Sequence, residues 1–402
     1  MTNDTAMDDT APGETALESR IYLDHAATTP VDPRVLEAML PYYQSVWANP
    51  SGIYRESQGA RKGLDRARDQ VAATLECAPS EIVFTSGGTE ADNHAIRGVI
   101  AASPRKHIVS SAIEHHAVLH TLEAMQAEGY EVTFVAVDSS GFVDPGAVQD
   151  AVRDDTGLVT IMTANNEVGT IEPIAEIARA VKAKNAKTVI HSDAVQAVGA
   201  TEIRPNLLGV DLMSMTAHKI YGPKGVGALY VRRRTRWAPQ ILGGGQEGDR
   251  RAGTENVAGA VAFATALRLA YEEFDARNAH QRSLRDTLWR EIRERIDGVH
   301  LNGPADFDRR LSNNLSVCFE RIEGESILLQ LDIEGIAASA GSACTTGSVE
   351  ISHVLEAMGV SEELAHGAIR LTVGTDNDAA QIERVAGILP EAIERLRALS
   401  PV

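Results

Sequence analysis

From residue 81 to about 231, short apolar runs recur roughly every 25 residues, separated by longer mixed segments. The runs are EIVFTS (81–86), HIVSSA (107–112), EVTFVAV (131–137), GLVTIMT (157–163), TVIHS (188–192), VDLMSMT (210–216) and VGALYV (226–231). Runs this short, rich in Val and Ile, read as buried strands. The segments between them carry helical spacing, as in Ile174, Ile177, Ala178 and Val181. Alternating strand and helix predicts an α/β domain: a mostly parallel sheet of about seven strands, covered by helices on both faces. After about residue 256 the pattern changes. A long helical stretch puts Leu284, Leu288, Ile292 and Ile296 on one face, followed by strand-like NLSVCFE (314–320), a helix near 324–331, GIAAS (335–339) and AIRLTV (368–373). A last helix carries Ile382, Val385, Leu389, Ile393 and Leu396. Fewer strands and less regular alternation predict a smaller α+β domain. The expected division is a tail over 1–19, a large domain over 20–275 and a small C-terminal domain over 276–402.

Composition narrows the function classes. A chain of 402 residues with 44% hydrophobic and 23% charged residues has the make-up of an ordinary globular protein. A net charge of −18 argues against an extended nucleic-acid surface. No apolar run approaches the roughly 20 residues of a membrane span. The first nineteen residues, MTNDTAMDDTAPGETALES, are polar and acidic, which predicts a disordered tail rather than a secretory signal, and hence a cytoplasmic protein. The three cysteines, Cys77, Cys318 and Cys344, show no CxxC spacing and cannot build a disulfide framework.

Ligands of open α/β sheets gather beyond the carboxyl ends of the strands, and chemistry-bearing residues recur there. EIVFTS runs into Gly87-Gly88-Thr89-Glu90 and then a helix, a place where free N–H groups can take a phosphate, though a plain glycine turn looks the same. TVIHS ends at Asp193, with Gln196 three residues on; such a carboxylate either caps a helix or pairs with a protonated ring nitrogen. VDLMSMT ends in Thr216-Ala217-His218-Lys219. Lysine occurs only seven times in the chain, and one placed just past an apolar strand suits an amine kept out of water, as a Schiff-base lysine must be. Glu114-His115-His116 offers an aromatic ring at the same edge, and Asn166-Glu167 an amide. A rival reading takes Glu114, His115, His116 and His120 as metal ligands, with His116 and His120 spaced i, i+4, but no third-ligand pattern follows and no metal is expected.

Taken together, YLDHAATTPVDPRV, FTSGGTEADN, AIEHHAVL, NNEVGT, SDAVQAVG, TAHKIYGPKGVGALYV, GGGQEGDRRAGTEN and GSACTTGS resemble the cysteine desulfurases, in the class V aminotransferase group of fold-type I pyridoxal-phosphate enzymes. The resemblance covers residues 21 to about 400. It implies that Lys219 carries the cofactor, that Asp193 meets the pyridine nitrogen and that His115 stacks on the ring. Asn166 and Gln196 would reach the ring hydroxyl, and Gly88, Thr89, Thr216 and His218 the phosphate. Thr254 would contribute to the phosphate site of a neighbouring subunit, making a homodimer part of the expectation. Arg370 would clamp the substrate carboxylate, with Asn314 and Asn49 nearby. Tyr54 stands close to where many bacterial members have a histidine, and the sequence ends at LRALSPV without the longer tail by which some relatives engage an iron–sulfur scaffold.

Cys344 decides the reaction. Its surroundings, Ala338-Ser339-Ala340-Gly341-Ser342-Ala343-Cys344-Thr345-Thr346-Gly347-Ser348, carry almost no bulk, which predicts a pliable loop. A thiol that takes sulfur from one molecule and gives it to another needs that freedom, and its thiolate is the reactive form. The expected activity is removal of sulfur from L-cysteine, giving L-alanine and a persulfide on Cys344 for an acceptor in iron–sulfur cluster assembly or thiolation. The alternatives are a class V aminotransferase or a selenocysteine lyase. Cys77 and Cys318 read as structural.

Overall fold

The computed structural model describes residues 20–340 and 351–399; the acidic tail and Cys344 lie outside the described residues. The strands are β1 (Ile21–Tyr22), β2 (Ile82–Thr85), β3 (His107–Ser111), β4 (Glu131–Val135), β5 (Thr156–Thr160), β6 (Val189–Asp193), β7 (Leu212–Thr216), β8 (Gly227–Val231), β9 (Val299–Leu301), β10 (Asn314–Phe319), β11 (Ile336–Ala337) and β12 (Ala368–Thr372). The helices that matter here are α1 (Arg55–Thr74), α2 (Gly88–Ala101), α3 (His116–Ala127), α4 (Ile174–Lys184), α5 (Val257–Glu272), α6 (Phe274–Arg295) and α7 (Ala379–Leu399).

Seven strands form one sheet in the order β2-β8-β7-β6-β5-β3-β4. Every pairing from β7 to β4 is parallel, whereas β8 runs antiparallel to both β7 and β2. The reversal has a simple cause. A parallel return needs a crossover of roughly a dozen residues or more, and the short link from Thr216 to Gly227 holds no helix. Alternate residues serve opposite faces. Ile108, Leu158, Leu212 and Leu229 enter one core with Ile96 and Val99 of α2, while Val109, Val159, Ile190 and Met213 enter another with Leu64 of α1 and Phe263 of α5. The helical stripe Ile174, Ile177, Ala178, Val181 is buried along α4, as its spacing requires.

A separate core surrounds the antiparallel sheet β12-β10-β9. Leu284, Leu288 and Ile292 of α6 meet Ile382, Val385, Leu389 and Ile393 of α7 there. Ile21 and Leu23 join the same core, because β1 pairs in parallel with β11. Among the described residues no helix is long and apolar enough to cross a membrane.

Leu288 of α6 is fully buried in the core that α6 shares with α7. Leu288→Ala should cost about 2–5 kcal/mol of unfolding free energy. Urea unfolding followed by circular dichroism measures this; a loss under about 1 kcal/mol would mean that the α6–α7 contact is not the packed seam described.

Candidate active site

Parallel strands put their carboxyl ends on one edge, so the residues following β3, β5, β6 and β7 converge whatever their distance in sequence. At that edge lies a cavity of about 340 Å³, lined by residues that include Gly88, Thr89, His115, Asn166, Asp193, Gln196, Thr216, His218, Lys219 and Arg370. The ends of four parallel strands, the N-terminus of α2 and β12 thus bring together ten of the residues singled out from the sequence.

Lys219 follows β7 and is half-buried. Its Nζ donates to the carbonyl oxygens of Ala26 and Ala27, the latter at 2.7 Å. Asp193 closes β6 and is 5% exposed, and one carboxylate oxygen accepts the Val195 amide at 2.8 Å. Burial pushes the Asp193 carboxyl up to about 6, with the Val195 amide and the Lys219 ammonium pulling the other way. His115 caps α3 by accepting the Ala117 amide on Nδ1 at 3.1 Å. That fixes its proton on Nε2, and burial plus the Lys219 charge push its pKa down to about 4, so the ring is neutral. His218 is likewise pushed down to about 4 by burial and by Lys219. Its Nδ1 lies 3.2 Å from the Thr28 hydroxyl. Gln196 donates to the Ala26 carbonyl at 3.0 Å.

Gly88 opens α2 where a side chain has no room: an added Cβ would sit 2.7 Å from Cγ2 of Val195. The helix N-terminus is therefore pressed against the turn that follows Asp193, with its first amides at the cavity. Arg370, on β12, is 3% exposed. Its Nη1 donates to the Asn166 carbonyl and its Nη2 to Asp24, both at 2.9 Å, while buried Nε has no hydrogen-bond partner.

Three expected residues are not among those lining the cavity. Asn314 lies buried on β10, donating to the Glu167 carbonyl at 3.2 Å with its own Oδ1 unpartnered. Asn49 and Thr254 are exposed, and Asn49 accepts the Ser51 amide at 2.9 Å. Tyr54 is 53% exposed at the start of α1. Asp92, Met162 and Ala164 line the cavity without having been singled out. Asp92 stands four residues past Gly88 on the buried face of α2. His116 stacks on His120 with ring centroids 4.8 Å apart and lies tilted 4.9 Å from His353, but among the described residues no three His, Cys, Asp or Glu side chains are placed to hold a metal.

The class-V aminotransferase family matches residues 21–385. A protein from Clostridium botulinum named cysteine desulfurase IscS is 46% identical over 388 residues, spanning 96% of this chain and 97% of its own. Among solved structures, a NifS-like protein superposes with a TM-score of 0.88 at 38% identity, covering 94% of this chain and 100% of its own. A structure of SspA in complex with cysteine gives 0.77 at 34% identity, covering 88% of this chain and 99% of its own.

The raised carboxyl makes a prediction about the ligand-free protein. Its folded pKa of about 6 lies above the roughly 3.9 of an unfolded aspartate. Stability from this group is therefore present below about pH 3.9 and lost as pH rises through about 6. Asp193→Asn cannot ionise, so its thermal midpoint should gain on the parent between about pH 4 and pH 7 and then level off. Melts at about pH 4, 6 and 8 check this; a constant difference would mean that Asp193 titrates as an ordinary surface acid.

Proposed function

Because the chain belongs to the class-V aminotransferase family, among its cysteine desulfurases, we propose that it takes sulfur from L-cysteine with pyridoxal 5′-phosphate as cofactor, releasing L-alanine and leaving a persulfide on Cys344. The observation that carries this reading is the convergence of Lys219, Asp193, neutral His115 and the glycine-opened α2 N-terminus on one cavity, with Arg370 at its side. That donor set fits the cofactor: a primary amine for its aldehyde, a carboxylate for its ring nitrogen, an uncharged imidazole for its face, and amides with Thr89, Thr216 and His218 for its phosphate. When bound, pyridoxal phosphate supplies an electron sink for the substrate Cα.

The remaining chemistry belongs to the chain. Arg370 receives the substrate carboxylate; its unpartnered Nε is the group with most to gain from an anion. Lys219 Nζ would take and return the Cα proton. Asp193 would supply the negative charge for the ring nitrogen, and His115 would keep the ring in place. The Cys344 thiolate attacks the substrate sulfur, forming the S–S bond as the Cβ–S bond breaks, and the carbon takes up a proton and leaves as alanine. An acceptor thiol or a reductant then removes the outer sulfur by exchange. Iron–sulfur assembly or thiolation is the destination we propose. Thr254 is exposed and lines no part of the cavity in its own chain, which favours a homodimer in which it serves the neighbouring site.

Two substitutions test this. Cys344→Ser should lower sulfide release by at least about a hundredfold while the cofactor's absorbance near 420 nm (roughly) persists; full turnover by that variant would remove the persulfide step, and amino transfer to an oxo acid would place the chain with the aminotransferases. Arg370→Lys keeps the charge and loses the fork, so KM for cysteine should rise about tenfold or more, against a smaller change in kcat. An unchanged KM would take the substrate carboxylate away from Arg370.

A further inference from the structure

Among the residues lining the cavity is a buried acid that the proposed chemistry does not use. Asp92 projects from α2 and is 1% exposed, and its Oδ1 has no hydrogen-bond partner. It stands at the end of a chain of buried polar groups. Thr160 Oγ1 on β5 meets Nδ1 of His191 at 2.8 Å, and Nε2 of His191 meets Ser214 Oγ on β7 at 2.9 Å. Ser214 in turn hydrogen-bonds Asp92, whose Oδ1 is 3.7 Å from Nε2 of His191. Asp193 is two residues beyond His191 on β6 and in register with Ser214 on β7. The relay and the cavity carboxylate therefore hang from the same two strands.

We propose that Asp92 is a positioning residue held as a neutral acid, whose relay through Ser214, His191 and Thr160 leaves Asp193 as the one carboxylate facing the cofactor's ring nitrogen. This rests on the function proposed above.

The charges around Asp92 require it. Asp193 faces it from β6 and Glu114 from the loop after β3, and both disfavour its ionisation, as burial does more strongly still. Glu114 is itself pushed up to about 8 by burial. His191 offers no compensating cation, since burial pushes its pKa down to about 3. β5 and β7 contribute only the Thr160 and Ser214 hydroxyls, and the ammonium of Lys219 acts on Asp193. Two carboxylates that repel each other in a dry site do not both ionise. The proton stays on the one without a cation, and Asp193 keeps the charge.

The test uses the full chain, stripped of cofactor and then titrated with pyridoxal 5′-phosphate, and reads affinity and the pH dependence of the visible band. Asp92→Asn is uncharged at every pH and can still donate a hydrogen bond. Its affinity should stay within about threefold of the parent, with an unshifted acid limb. Asp92→Leu and Ser214→Ala remove polar support from beside Asp193. Charge on Asp193 then becomes costlier, so the band should fade at a pH about one unit higher and affinity should drop about tenfold. A tenfold loss or a displaced acid limb in Asp92→Asn would mean that Asp92 works as an anion and would overturn the proposal. So would a Ser214→Ala variant identical to the parent, which holds even if Asp92→Leu fails to fold. Failure of the parent itself to take up pyridoxal phosphate would overturn the preceding reading along with this one, and is told apart by appearing without any substitution.

Discussion

One constraint governs this molecule: a carboxylate, an ammonium and a guanidinium are held in a single cavity largely out of water. Buried charge persists only where it is paired or hydrogen-bonded, and each of the three has its support. Asp193 has the Val195 amide, Lys219 the carbonyls of Ala26 and Ala27, and Arg370 both Asp24 and the Asn166 carbonyl. Groups that cannot be supported are neutral instead, as the depressed pKa values of His115, His191 and His218 and the raised one of Glu114 record. The central sheet supplies the means, because it fixes where each of these atoms stands.

Much of this was legible in the chain. The seven apolar runs fall on the seven strands of the large sheet to within a few residues; six of them are buried on both faces and leave an unbroken apolar signature, while β4 at the edge is partly exposed. The stripes of α4, α6 and α7 are buried where their spacing placed them. What escaped had physical reasons. β1 and β11 are two residues each, too short to carry a period. The reversal of β8 depends on the length of a link rather than on its own residues, and β9 is a partly exposed edge strand of three residues.

The site divides in the same way. Residues at strand ends, such as Asp193 and Lys219, could be found because a polar group abruptly ends an apolar run. Asp92 could not, since an acid on a helix reads as a solvent-facing residue until the strands beneath it are known. Asn314, which the resemblance implies lies near substrate, donates to the Glu167 carbonyl and packs against Gly169, where an added Cβ would come within 2.9 Å of it.

The segment from Ile21 to Thr29 has a consequence of its own. At one end Ile21 and Leu23 are embedded in the smaller core; at the other, Ala26 and Ala27 grip the amine of Lys219, and the Thr29 amide bonds to the His218 carbonyl. Midway, Asp24 bridges to Thr372 and holds Arg370. A single short strap, turning at 25–27, thus ties the reactive amine to the body that bears the guanidinium, so any displacement of that body is felt at the amine as a tug on two peptide oxygens.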